Sequence, residues 1–317
     1  MDATGIARKR HHRKEKCEGK EVRLTTKELY KWGVPVFTKN AIFDLMSQLE
    51  KITSHSGECL LERLTPTLID KMRTEPRNYT FQQHHAEWVA SESCRELKRI
   101  LESAKIPRVR AMVAFACGSL TYGQFCEFPA FQHALLLTLR DFISLSSSPA
   151  SQSHIRGQTE DLFSPSYEKQ VDKILATGGG QRVGCVAQAP LYQEDDKRTV
   201  RDEGVSVVDD PVGFLLVDDE SVVMSINPTV PIRNIVGELA KPALMIWNDA
   251  DESQEPLENG RWGDPVSPRL GDMLRDHYTR IPFPVQESYD EHFGGLAIYI
   301  RNSATAAAAE GSNEGCT

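Results

Sequence analysis

Residues 109–117 have the sequence VRAMVAFAC and are followed directly by Gly118 and Ser119. A short and nearly continuous apolar run of this kind is typical of a strand that is buried on both faces of a parallel sheet. Apolar residues then recur at helical spacing over residues 128–142, and Pro129 fits the first turn of that helix, where its missing N–H costs little. A strand, a glycine-containing loop and a helix in this order predict the start of a βαβ unit.

The same alternation of apolar strands and helices continues along the chain. Strands are predicted at residues 182–188, 205–208, 222–226 and 243–247, and helices at residues 86–104, 193–203, 231–239 and 269–278. The run at residues 214–217 is interpreted as a strand that either pairs locally with residues 222–226 or precedes them in the sheet, and residues 296–300 as a last strand and a candidate for the sheet edge. The sequence therefore predicts an α/β fold: a three-layer, Rossmann-like, mainly parallel sheet with an N-terminal helical extension.

Four segments are predicted from shifts in composition. Residues 1–20 form a basic tail that is expected to be disordered, and its run at residues 8–14 is either a nuclear-import signal or a solvated tail. Residues 21–105 are expected to be a helical region, residues 106–302 to form the α/β domain, and residues 303–317 to form a second disordered tail.

The overall composition excludes several classes of protein. The chain of 317 residues carries a net charge of −8, whereas a protein that binds nucleic acid over its whole surface is usually basic. No apolar run is long enough to span a bilayer, and no apolar segment follows the basic stretch, which argues against a membrane protein and a secretory signal. The seven cysteines form no Cys-x-x-Cys pair, which argues against a disulfide framework or a zinc site. We therefore expect a protein of the cytoplasm, the nucleus or both.

An ordered series of short motifs resembles a known family. The series comprises residues 113–119, 132–135, 186–190, 204–205, 210–211, 213–217, 221–223, 227–228, 231, 241–247 and 297–301. It is similar to the SRR-like domain, named for the plant Sensitivity to Red Light Reduced protein, is closest to fungal members, and covers about residues 105–302. The resemblance implies a regulatory role, in light and circadian signalling in plants and more broadly in other eukaryotes. It implies no established catalytic residues.

One departure from the family pattern concerns nucleotide binding. Related sequences tend to carry an Asp-Pro pair where this chain has Ala189 and Pro190. An acidic residue at the tip of the second strand of a Rossmann sheet is the usual holder of ribose hydroxyls. The alanine therefore weakens the hypothesis of a nucleotide site.

Open α/β sheets bind ligands at the carboxyl ends of their strands, where the strand order reverses. The residues that follow the predicted strands, and therefore form the candidate ligand cleft, are Gly118, Ser119, Tyr122, Gly123, Gln188, Asp209, Asp210 and Asn227. The segment from Gly118 to Gly123 lacks the Lys-Ser or Lys-Thr of a phosphate-binding P-loop and the pattern G-x-G-x-x-G. The alternative interpretation is that Gly118 only permits a tight turn from strand to helix.

The residues that could perform chemistry form no catalytic set in the sequence. To act as a nucleophile, Cys117 or Ser119 would need a neighbouring base. His133 lies some distance along the next helix, and the spacing of the sequence suggests no acidic partner for it. Asp209 and Asp210, like the acidic residues at 218–220, could be paired carboxylates, metal ligands or turn residues, and acidic residues at strand ends more often form turns. No catalytic and no metal-binding residue is therefore assigned.

The sequence leaves three hypotheses for the function. The first is a regulatory protein that acts by binding protein partners or a small, nucleotide-like ligand. The second is a Rossmann-type enzyme, methyltransferase-like or nucleotide-dependent, that uses the cleft at the strand ends. The third is a scaffold whose N-terminal helical half is a docking surface. The sequence identifies neither a cofactor nor a particular partner.

Overall fold

The computed structural model describes residues 37–42, 81–120, 127–146, 183–228, 230–250 and 264–302. The strands are β1 Ala111–Phe115, β2 Gly184–Gln188, β3 Ser206–Val207, β4 Ser221–Ser225, β5 Leu244–Asn248, β6 Tyr278–Pro282 and β7 Leu296–Arg301. The helices are α1 Phe81–Ala90, α2 Glu92–Ser103, α3 Glu127–Ser146, α4 Glu194–Asp202, α5 Val212–Leu216, α6 Ile232–Leu239, α7 Pro268–His277 and α8 Asp290–Phe293. A short 3₁₀ helix, Glu287–Tyr289, precedes α8.

All the strands of the described residues belong to one sheet, with the order β3-β2-β1-β4-β5-β7-β6. Strands β1 to β5 pair in parallel, and only β7 runs antiparallel to its two neighbours. The strand order reverses at β1, which has β2 on one side and β4 on the other. The apolar runs predicted as strands near residues 113, 185, 224 and 245 therefore lie side by side, and the prediction of a mainly parallel α/β sheet is confirmed.

The side chains of β1 alternate between the two faces of the sheet and join two separate cores. Met112 and Ala114 pack in a core with α1, α2, α3 and α4, whereas Val113 and Phe115 pack in a core with α5, α6 and α7. Every residue of β1 is buried, as expected for a strand that is covered on both faces. Helices on both faces give the predicted three layers.

Helices α1 and α2 pack against the sheet domain. The indole Nε1 of Trp88 donates a hydrogen bond to Thr138 Oγ1 on α3 at 3.0 Å, and Trp88 is fully buried. Ser91 separates the two helices and caps α2, because its hydroxyl accepts a hydrogen bond from the backbone N–H of Cys94. The helix predicted near residues 86–104 is confirmed, with this break near its start.

Two details of the predicted sheet are wrong. Residues 214–217 were expected to form a strand, but α5 covers most of them, because a short apolar run does not distinguish a strand from a buried helical turn. Strand β7 was a candidate for the edge, but it lies between β5 and β6. The edge strand at this end of the sheet is β6, whose residues Thr279 and Arg280 are exposed, so it lacks the apolar pattern of the buried strands.

No helix in the described part of the chain is both long enough and apolar enough to cross a lipid bilayer.

Candidate functional site

The carboxyl edge of the sheet is the edge at which β1 to β5 end, and the loops that follow these strands lie there. The chain leaves β1 through Ala116 and Gly118, which have φ angles of 58° and 70°. A Cβ atom added to Gly118 would lie 2.9 Å from Pro129 Cγ in the first turn of α3. Both facts support the interpretation that Gly118 is required for the tight turn onto α3.

Ser119 is buried next to the start of α4. Its hydroxyl donates a hydrogen bond to Asp196 Oδ2 at 2.6 Å, and the same carboxylate oxygen accepts the backbone N–H of Gln193 at 2.8 Å. Asp196 is fully buried. Ser119 therefore connects the loop after β1 to α4. Tyr122 and Gly123, the other predicted residues of this loop, lie outside the described residues.

Gln188, the last residue of β2, joins two loops of the carboxyl edge. Its Oε1 accepts the backbone N–H of Gly213 at 2.5 Å, and its Nε2 donates to Asp210 Oδ1 at 2.7 Å. Because a backbone N–H is always a donor, the contact with Gly213 fixes which end of the amide is the oxygen. The amide of Gln188 is therefore oriented so that its N–H meets the carboxylate of Asp210.

Asp209 and Asp210 both follow β3 and are both exposed, but they have different surroundings. The side chain of Asp209 is 90% exposed and lies 3.9 Å from Lys197 Nζ. Asp210 bonds to Gln188, and loss of hydration raises its pKa above the usual value. The structure thus places Asp210, and not Asp209, against the tip of β2.

Asn227 follows β4 and is paired with Asn248 at the end of β5. Its backbone N–H donates to Asn248 Oδ1 at 2.8 Å, and its Oδ1 accepts from Asn248 Nδ2 at 2.6 Å. Asn227 is exposed and has a φ angle of 47°, a left-handed conformation that asparagine adopts more readily than most residues. The pair fixes the tips of β4 and β5 relative to each other.

A buried polar cluster behind the loop after β1 is not apparent from the sequence. Nδ1 of His133 lies 2.6 Å from the carbonyl oxygen of Pro129, so it must carry the proton and donate. Nε2 therefore accepts the hydrogen bond from the hydroxyl of Tyr192, also at 2.6 Å. Burial lowers the pKa of His133 to about 4, so the ring is neutral at pH 7. The two residues are 59 positions apart, and no local pattern signals the contact.

Cys117, which was considered as a nucleophile from the sequence, is not activated, and neither is the buried Cys185. Burial raises the pKa of Cys117 and of Cys185 to about 12, so both thiols stay protonated at neutral pH. The neutral His133 already uses both ring nitrogens in hydrogen bonds. The hydrogen bonds of His133 hold α3 against the segment that leads into α4. The protonated thiols offer no thiolate for catalysis.

Two ion pairs, whose aspartates both follow β5, were also missed from the sequence. Arg233 and Asp264 are both almost completely buried, with Nε of the arginine 2.9 Å from Oδ2 of the aspartate. Asp249 accepts hydrogen bonds from Arg280 Nε at 2.8 Å and from the Tyr299 hydroxyl at 2.9 Å. Both carboxylates hold structural contacts. Among the described residues, no group of three or more His, Cys, Asp or Glu side chains is arranged to hold a metal ion.

A mainly parallel, doubly wound sheet with polar loops at its carboxyl edge places this chain in the class of Rossmann-like α/β proteins. Residues 80–300 match the family model of the SRR1 domain. Since the match spans more than half of the 317 residues, the chain belongs to the SRR1 domain family, and the resemblance inferred from the sequence is confirmed. The match includes every helix and strand from α1 to β6 and all of β7 except its last residue. No curated protein matches the chain.

Proposed function

We propose that this protein is regulatory and acts by binding, with a small nucleotide-like ligand at the carboxyl edge of its sheet and protein partners that remain to be identified. Regulation is the role that the SRR1 family suggests. The family resemblance implies signalling linked to light, to the circadian clock or to growth. We expect the protein to act in the cytoplasm, the nucleus or both.

The observation that carries this proposal is the separation of exposed acceptors from reactive groups. Asp209, Asp210 and Asn227 are exposed at the carboxyl edge, where their oxygens can accept hydrogen bonds from a ligand. Cys117 and Ser119, the nucleophiles considered at the same edge, are buried. Recognition of a ligand by hydrogen bonds needs only the exposed acceptors, whereas covalent catalysis would need Cys117 or Ser119 to be accessible.

A thermal-shift screen with nucleotides and S-adenosylmethionine tests this proposal. A ligand at one hundred times its dissociation constant adds about 2.7 kcal/mol of stability and raises the melting temperature. Asn227→Gly should reduce the shift, because glycine keeps the left-handed backbone and removes the side chain. The matched control is Glu220→Gln, which changes a half-buried residue just before β4, at the opposite edge of the sheet from the candidate site. Absence of any shift, or equal loss in both variants, would contradict a ligand site at the carboxyl edge.

The second candidate function is a methyltransferase-like enzyme, and the strand order favours it. An antiparallel strand between the fifth and sixth strands, as β7 is here, is the arrangement of Rossmann-like methyltransferases and differs from the dinucleotide-binding order 3-2-1-4-5-6. A shared fold alone does not establish an activity. Saturable binding of S-adenosylmethionine together with transfer of its labelled methyl group to a cellular extract would favour the enzyme. Binding without transfer would favour the regulatory protein.

A further inference from the structure

We propose that the carboxylate of Asp210 holds the ribose hydroxyls of the bound ligand, which makes that ligand a ribonucleoside or ribonucleotide. This inference rests on the proposed function, because it names the ligand class of the same site. It assigns the ribose contact to the loop after β3, although dinucleotide-binding sheets supply it from the tip of the second strand.

The first step of the argument is the position of Asp210. At the tip of β2, where an acidic residue would hold ribose, the chain has Ala189, which is buried and cannot bind a hydroxyl. Asp210 Oδ1 lies 2.7 Å from Nε2 of Gln188, the residue immediately before that alanine. The loop after β3 therefore brings a carboxylate to the tip of β2, next to Ala189, where the side chain of this chain carries no charge.

The second step is the orientation of the carboxylate. Gln188 donates to Oδ1 only, and within the described parts of the chain no hydrogen bond is made by Oδ2. The amide of Gln188 is itself held by the backbone N–H of Gly213. One oxygen is thus anchored by a buried side chain while the residue Asp210 is exposed, so the carboxylate can accept hydrogen bonds from vicinal hydroxyls. Gln188 is a positioning residue in this arrangement.

The third step is the contrast with Asp209, which has the same charge and is the preceding residue. Its side chain lies near Lys197 Nζ, at 3.9 Å, and the described residues show no bond from it to β2. Asp209 is therefore a matched control. Asp209→Asn and Asp210→Asn each remove one negative charge from the same loop, but only the second removes the charge beside β2.

The fourth step is the neighbouring tip of β1. The backbone N–H of Ala116 donates to the carbonyl of Gln188 at 3.1 Å, so the loop that carries Gly118 begins directly beside the tip of β2. A ligand whose ribose binds to Asp210 therefore extends along the carboxyl edge toward the point at which the strand order reverses, the usual ligand position in open α/β sheets.

The test compares AMP, GMP, CMP and UMP with their 2′-deoxy counterparts by isothermal titration. We expect at least one ribonucleotide to bind to the wild-type protein and its 2′-deoxy form to bind roughly tenfold or more weakly, as expected for a lost hydrogen bond to a charged group. Asp210→Asn should weaken the ribonucleotide by a similar factor and leave the 2′-deoxy form nearly unchanged. Asp209→Asn should bind as the wild type does.

The outcomes separate this inference from the proposed function. Equal affinity of ribonucleotide and 2′-deoxynucleotide, or unchanged binding in Asp210→Asn, would overturn the ribose contact. If Asn227→Gly still weakened binding in that case, the ligand site at the carboxyl edge would remain. If neither these nucleotides nor S-adenosylmethionine bound, the ribose inference would fail, and a shift with a ligand that lacks ribose would keep the proposed function. Asparagine retains an oxygen for Gln188, so unfolding of Asp210→Asn should match that of Asp209→Asn.

Discussion

The backbone N–H of Gly213 donates a hydrogen bond to Oε1 of Gln188, which lies 25 residues earlier at the end of β2. The contact connects the first turn of α5 to the tip of β2 and leaves Nε2 of Gln188 directed at Asp210. Phe214, the next residue, stacks on Phe115 of β1 with 4.6 Å between ring centroids. The start of α5 therefore fixes the part of the carboxyl edge on which the candidate site depends.

Gly213→Ala should destabilise the protein by about 1–3 kcal/mol, as overpacking of a filled core does. The new Cβ atom would lie 2.6 Å from Gln188 Oε1 and 3.0 Å from Phe115 Cε1, and Gln188 cannot move without breaking two hydrogen bonds. Urea unfolding measures the change. Gly271→Ala in α7 is the control, because its Cβ would lie 3.8 Å from the nearest side chain and alanine favours a helix. Equal stability of the two variants would show that Gly213 is not closely packed.

Gly118→Val should destabilise the protein by roughly 2 kcal/mol or more, because a β-branched residue at a φ angle of 70° is strained and would also collide with Pro129. Gly118→Asn should cost less, since asparagine tolerates the left-handed conformation. Thermal unfolding of both variants ranks the two effects. A valine variant as stable as the asparagine variant would mean that the backbone conformation of Gly118 does not matter for the turn.

Most of the fold could be predicted from the sequence, because strands that are buried on both faces leave continuous apolar runs. This signal located β1, β2, β4 and β5 to within a residue or two. The same signal failed at residues 214–217, because the first three of these apolar residues belong to the helical turn α5. Gly213 and Phe214 attach this turn to the ends of β2 and β1. It was absent from β6, whose exposed edge carries polar side chains.

The candidate site could be predicted only in part. Position after a strand selected Gln188, Asp210 and Asn227, and the structure places all three at the carboxyl edge. Their partners are set by tertiary packing: Asn248 and Gly213 lie 21 and 25 residues away from the side chains they meet. The sequence treats Asp209 and Asp210 alike, and only the contact with Gln188 distinguishes them. Such pairings depend on how loops from different strands meet, which no local pattern encodes.

Acid should weaken the protein through His133. Its pKa is lowered from 6.5 to about 4 in the folded protein, so the unfolded chain takes up this proton more readily. Stability from the neutral ring is therefore fully present above pH 6.5 and is lost as the pH falls toward 4, by about 3 kcal/mol at most. Urea unfolding of wild type and His133→Gln across this range measures the effect as a difference. A difference that does not change with pH would show that the ring is not kept neutral by burial.

The comparison with a variant is needed because Asp264 titrates in an overlapping pH range, and its titration changes the stability of the protein in the opposite direction. Burial raises its pKa from 3.8 to about 6, against the opposing effect of Arg233, so the folded protein takes up this proton more readily than the unfolded chain. Protonation of Asp264 therefore adds stability as the pH falls from about 6 toward 3.8. Because the carboxyl group is present in both proteins, its contribution cancels in the difference between wild type and His133→Gln.

Asp264→Ala should destabilise the protein at pH 7.5 by about 3–5 kcal/mol, because it leaves the buried guanidinium of Arg233 without its carboxylate. Asp264 accepts hydrogen bonds from both the backbone N–H and Nε of Arg233 at the start of α6, so the loss also exposes unpaired donors. The matched control is Asp272→Ala in α7, which removes an ion pair with Arg275 that is more than half exposed and should therefore cost much less stability than Asp264→Ala. Chemical unfolding of both variants gives the comparison. The double variant Arg233→Met/Asp264→Ala should recover part of the loss, since it no longer buries a charge, and a double variant less stable than Asp264→Ala would show that the arginine stabilises the fold through its other contacts.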